Sequence, residues 1–234
     1  MKISPTLTEV KEIAKTGKYD ILPVSCEILS DFITPIEAMR ILQNVSTHCY
    51  LLESAQANEA WGRYTFLGYD PKLEINCIDG HMKLGKLSVE TENPSEYIRQ
   101  ILSEYKSPKF DYLPSFTGGL VGYFSYDYLG YKEKSIRGKA RDTEDFKDVD
   151  LMLFDKVIAF DNLCQKIILI ANMSLDAPET GYNKAIVELK QLRELLMHGE
   201  KKQNMGGKLL GEVTPLFEKE QYCDMVEKAK HHIK

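Results

Sequence analysis

The chain has 234 residues, 43% of them hydrophobic and 28% charged, with 30 basic against 35 acidic side chains and a formal net charge of −5. That length holds one large or two small domains, and that composition supplies a full apolar core, which excludes wholesale disorder. No basic stripe marks a nucleic-acid surface, the longest apolar run (residues 167–171) is far too short to span a bilayer, and residues 1–19 lack the apolar core of a signal peptide. The expected protein is cytoplasmic, with neither nucleic acid nor membrane as partner. Its five cysteines are scattered, odd in number and without a CxxC pair, so buried reduced thiols are expected instead of disulfides or a zinc site.

In chain order, residues 6–9 (TLTE) read as a capping box that opens a helix stopped at Gly17. Residues 21–27 look extended. Residues 34–37 (TPIE) form a second capping box with proline at the first helical position, leading a helix that carries Ile36, Met39, Ile41 and Leu42. Residues 49–53 and 63–69 are strand candidates. Residues 72–89 alternate apolar and polar about Asp79-Gly80, a hairpin signal. Asn93-Pro94 starts a helix with Tyr97, Ile98, Ile101, Leu102 and Tyr105 on one face.

Residues 116–126 are rich in glycine and aromatics and read as a strand. Residues 137–150 are charge-dense and read as a solvated connection. Residues 151–160 and 166–171 flank Asp161-Asn162 as a long buried hairpin. Residues 178–197 form an amphipathic helix with Tyr182, Ile186, Leu189, Leu192 and Leu196 inward. Gly206-Gly207 sits in the best linker candidate, and residues 217–234 are helical again without a stop signal, as expected of part of a longer chain. Many strands joined by tight turns point to an α+β fold, antiparallel sheet layers flanked by helices.

Few motifs survive scrutiny. Residues 80–87 (GHMKLGKL) approach a phosphate-binding P-loop, but Leu87 replaces the required hydroxyl and the setting is a hairpin. The glycines of 118–123 (GGLVGY) could admit a ligand; a bent or closely packed strand is the plainer reading. His231-His232 with Glu227 resembles a metal pair, yet adjacent helical residues point about 100° apart. The carboxylates of 142–145 and 148–150 read as solvated. Leu51-Leu52-Glu53-Ser54 differs: a strand ending in Glu-Ser offers a carboxylate and a hydroxyl, groups that pair with the ammonium and carboxylate of an amino acid, and Arg63 follows nearby as a cation.

At this point the chain resembles the N-terminal part of anthranilate synthase component I, a chorismate-utilising family. The likeness rests on residues 21–35, on LLES at 51–54, on WGRYTFLG at 61–68, on GGLVGYFSYD at 118–127 and on DLMLFDKVIAFD at 150–161. It implies residues 1–198 as a regulatory and structural region, 199–215 as a linker and 216–234 as the first helix of a chorismate-binding domain that lies beyond the chain. It further implies L-tryptophan as feedback inhibitor, with Leu52, Glu53, Ser54 and Arg63 lining half of its pocket. A glutamine amidotransferase subunit (component II) is implied as partner, and Mg²⁺ as the metal of the whole enzyme. The family's catalytic and metal residues fall outside, so none is expected here and this chain alone is expected to be inactive. The WGRYTFLG run favours the anthranilate branch over aminodeoxychorismate synthase component I; a free-standing amino-acid-binding module is the remaining alternative.

Overall fold

The structure, a computed structural model, describes residues 2–54, 62–136, 145–203 and 206–233. In chain order the elements are β1 (Ile3–Ser4), α1 (Leu7–Lys15), β2 (Ile21–Leu29), α2 (Pro35–Val45), β3 (Cys49–Leu52), β4 (Tyr64–Tyr69), β5 (Leu73–Ile78), β6 (His81–Leu84), β7 (Leu87–Glu90), α3 (Pro94–Ser103), β8 (Gly119–Phe124), a 3-10 turn (Tyr126–Tyr131), β9 (Val149–Phe154), β10 (Lys156–Asp161), β11 (Lys166–Ser174), α4 (Pro178–His198) and α5 (Lys219–Ile233). The chain divides into two compact units, Met1–Lys202 and Gln203–Lys234. The first holds every strand; the second holds α5, none of whose described residues is buried.

The strands form two sheets, ordered β1-β2-β11-β10-β4-β3 and β7-β6-β5-β9-β8, and every pairing is antiparallel. This is the α+β class expected. Local chemistry sets the helix starts. Both arms of the Thr6–Glu9 and Thr34–Glu37 capping boxes are made, and Gly17 closes α1 at φ +62. The inward face of α2 is Ala38, Ile41 and Leu42, while Ile36 lies exposed.

The larger sheet is covered on both sides. Leu22, Val24, Leu67, Ile158, Phe160, Ile167 and Leu169 pack with α1, α2 and α4 on one face. Val157, Ala159, Ile168 and Ile170 meet Leu113, Phe110 and Phe116 on the other. Two-sided burial explains why 167–171 is an unbroken apolar run although antiparallel strands more often alternate. The smaller sheet buries Ile75, Cys77, Met82, Val149 and Leu151 against Ile98 of α3 and the rings of Tyr128 and Tyr131.

Several expectations need correction. Residues 73–90 make three strands, because a second turn at Gly85 (φ +60) follows the one at Asp79-Gly80. Residues 151–160 are two strands in different sheets: β9 ends at Phe154, and the carbonyl of Asp155 at the handover accepts the Asn172 backbone N–H (2.8 Å) and its Nδ2–H (3.0 Å). Residues 149–150 belong to β9. Asp148 is no solvated carboxylate: its Oδ2 accepts the Asp79 N–H at 2.9 Å and the Tyr131 hydroxyl at 2.7 Å, bracing the first turn. The strand of 116–126 shortens to β8, where Gly122 answers to crowding: a Cβ there would lie 1.9 Å from the Asp150 carbonyl oxygen. Helix α3 stops before Tyr105. All five cysteines are free, but Cys164 and Cys223 are exposed. Residues 142–144 lie outside the described residues.

Tyr50 joins the two sheets. It sits opposite Gly68 in the β3–β4 ladder, where a Cβ would come within 2.2 Å of its ring, and it meets Phe154 edge-on at 4.7 Å between centroids. Its hydroxyl is buried with no partner among the described residues. An unpaired buried hydroxyl costs roughly 1–3 kcal/mol. Tyr50→Phe keeps the ring and is expected to raise unfolding stability by about 1 kcal/mol in urea titrations; a loss of that size would reveal a partner for the hydroxyl.

Candidate functional site at the ends of strands β3 and β4

Strand β3 is an edge of the larger sheet, and its ladder with β4 ends at the pair Leu52–Phe66. Side chains alternate along it. Cys49 and Leu51 pack on the helix-covered core, whereas Tyr50 is buried against Phe116 and Phe154. Leu52 follows on the Tyr50 face and is 47% exposed. Glu53 and Ser54 come after the last paired residue and are both exposed. Counting the register two steps onward sets Ser54 level with Tyr64. Trp61, the first residue of WGRYTFLG, lies outside the described residues.

Tyr64 and Phe66 were not singled out from the sequence, yet they give this corner its apolar ledge. Their ring centroids are 5.8 Å apart, and Phe116 meets Phe66 edge-on at 5.5 Å. The signal was their period of two along β4.

Arg63 sits at the threshold of β4 and grips Asp161, the last residue of β10. Nε donates to Oδ1 at 3.1 Å and Nη2 to Oδ2 at 2.7 Å, a forked pair. The Asp161 side chain is completely buried and that of Arg63 is 36% exposed. The Cys164 N–H also donates to Oδ1 (3.1 Å), and the guanidinium lies 4.8 Å from the centre of the Tyr64 ring. Burial pushes the Asp161 carboxyl up, but the bonds from Arg63 and Cys164 outweigh it and leave its pKa below the ordinary value. The bond to Asp161 in turn raises the pKa of Arg63. The residue expected to offer a free cation therefore has a structural partner first, and only Nη1 carries no bond among the described residues. Asp161 itself read as a turn residue; a carboxylate closing the apolar run VIAFD was the clue that it needed a buried partner.

Chemically, this corner sets a cluster of aromatic rings beside a strand end bearing a carboxylate and a hydroxyl. That combination suits a ligand with a planar ring and an amino-acid head. Residues 80–87 span β6 and β7, not a strand–loop–helix, and the exposed His231 and His232 lie on α5. Among the described residues no group of three or more His, Cys, Asp or Glu could hold a metal ion.

The model of the chorismate binding enzyme family matches residues 47–234. The chain belongs to that family. It is 32% identical over 248 residues to anthranilate synthase component 1 of Acetivibrio thermocellus, covering 98% of this chain and 48% of that protein. It is 36% identical over 196 residues to the protein of the same name from Pseudomonas aeruginosa, covering 80% of this chain and 39% of the relative. The solved structure of anthranilate synthase component I from Streptococcus pneumoniae superimposes with a TM-score of 0.56 at 25% identity, over 87% of this chain and 44% of that one. The resemblance read from the motifs thus holds. The chain spans about half the length of the curated relatives it matches.

The Arg63–Asp161 pair has a testable consequence. Asp161→Asn leaves Arg63 facing a neutral amide in a buried socket, with an expected cost of about 3 kcal/mol and a melting point lower by roughly 6–12 °C. Because the folded pKa of Asp161 is depressed, its stabilising contribution is complete above the unfolded value near 3.9 and is lost as pH falls through the lower folded value. From about pH 4 downward the variant should therefore lose less stability than the parent. Parallel acid-unfolding curves would contradict the pairing.

Proposed function

We propose that this chain is the N-terminal portion of an anthranilate synthase component I, a cytoplasmic lyase subunit that converts chorismate to anthranilate for tryptophan biosynthesis. Its role in that subunit is to carry half of an L-tryptophan feedback site. The observation that carries the reading is the agreement between relatives of one name over 80–98% of the chain and the corner at β3 and β4, where LLES and GRYTFLG meet. Ser54 and Glu53 would take the amino-acid head of tryptophan, Leu52 would pack beside the ring, and Arg63 would order the ledge through Asp161. No helix among the described residues is long and apolar enough to cross a membrane, which suits such a role.

In this reading the whole subunit works with a glutamine amidotransferase subunit that supplies ammonia, and Mg²⁺ assists at a chorismate site built by residues outside this chain. The described residues gather no donor set for that ion.

Two experiments test the reading. Ser54→Ala in the full-length subunit removes a hydrogen bond to a charged group of the ligand, so the tryptophan concentration needed for inhibition should rise roughly ten- to a hundredfold. Turnover without tryptophan should stay the same; unchanged inhibition, or catalysis lost along with it, would overturn the assignment. The 234-residue chain, given chorismate, Mg²⁺ and ammonia, should form no fluorescent anthranilate. Anthranilate formed in proportion to purified chain would show that the active site is present within it.

A further inference from the structure

The larger sheet has a second edge, β1, five strands away from β3. At about 4.8 Å per strand the two edges lie roughly 24 Å apart. Beside β1 a cavity of about 430 Å³ opens between α1 and the segment before β8. That volume falls within the usual range of small-molecule sites.

Its walls differ in kind from those of the tryptophan corner. Pro5 and Ile13 form an apolar floor, and Phe110 and Tyr112 stand as a stacked pair with centroids 5.1 Å apart and planes 23° from parallel. Glu9 and Glu12, one turn apart on α1, face the same space, and no lysine or arginine lines it. Glu9 spends one oxygen on its cap, where Oε2 accepts the Thr6 N–H and hydroxyl, each at 2.7 Å. Those bonds hold its carboxyl below the usual range, so it is charged at neutral pH. Oε1 of Glu9 and the whole carboxylate of Glu12 carry no partner among the described residues. Burial, with Glu9 nearby, pushes the Tyr112 phenol up to about 12, so its ring presents a neutral π face.

We propose that this cavity is a binding site for a small organic amine, an ammonium group on a flat apolar body. The carboxylates receive the ammonium, and the aromatic pair receives the body and supplies a cation–π contact. A free amino acid is disfavoured, because its carboxylate would meet two negative side chains and no cation. The occupant is a small molecule and not a protein surface: a standard interface needs about 800 Å² per partner, whereas this recess is local. The site shares no residue with the tryptophan corner and does not depend on that assignment.

The test uses the 234-residue chain, isotopically labelled, and two probes of one shape and opposite charge, 2-phenylethylamine and 3-phenylpropionate. Exposed carboxylate and ring contacts place the affinity for the amine at about 1 mM. Saturable amide shifts are expected at Glu12 and around Phe110 and Tyr112 with the amine, and none with the acid. Glu12→Gln, an exposed substitution that leaves the spectrum dispersed, should weaken the amine about three- to tenfold. Tyr112→Ala should weaken it comparably, and Ser54→Ala should leave it unchanged. Equal response to both probes, no saturable shift with the amine, or full affinity in Glu12→Gln would each overturn the proposal.

Discussion

Residues 167–171 have no face left for water, and the rest of the first unit is arranged around that fact. Strand β11 is hydrogen-bonded to β2 along nine residues on one side and to β10 along six on the other. Its alternate side chains enter two different cores. Each fully buried Leu or Ile contributes about 1.5–3 kcal/mol of transfer free energy, and here those contributions come from a strand that cannot slip. A shift by one residue would exchange the two faces and send every side chain into the wrong core.

That fixed hairpin positions both the seam and the candidate site. At one end of β10, Asn172 holds the handover at Asp155 and also donates to the Thr117 carbonyl (2.6 Å), so one amide side chain ties the segment before β8 to the larger sheet, beside the Tyr50–Phe154 contact. A Cβ at Gly118 would fall 2.6 Å from that amide, which explains a glycine at φ +142 there. At the other end, Asp161 pins Arg63 and with it the start of β4. Strand β3 adds to β4 through only four pairs. Its polar end is thus an edge feature mounted on the most constrained part of the fold, a suitable base for ligand-binding residues that must themselves stay accessible.

What was legible in the sequence was local. The capping boxes at Thr6 and Thr34 and the 3.6-residue spacing of Tyr182, Leu189, Leu192 and Leu196 need no distant partner to be recognised, whereas Ala185, and not the expected Ile186, completes the buried face. The antiparallel class followed from tight turns. What was hidden was long-range. Residues 151–160 are two apolar runs broken only by Asp155-Lys156, and so short a polar break does not by itself announce a change of sheet; Asn172 marks it from another strand. The role of Asp148 depends on Tyr131 and on Asp79. The LLES end of the candidate site was readable because its residues are contiguous. Tyr64, Phe66 and Asp161 were missed because only the ladder brings them beside it.

The end of β3, backed by the Arg63–Asp161 pair, is proposed as a regulatory amino-acid site. A crystal structure of the full-length subunit with L-tryptophan tests it most directly. The expected result is the ligand's head group within hydrogen-bond reach of Ser54 and its indole beside Leu52. Tryptophan bound elsewhere, with the β3 end empty, would contradict it.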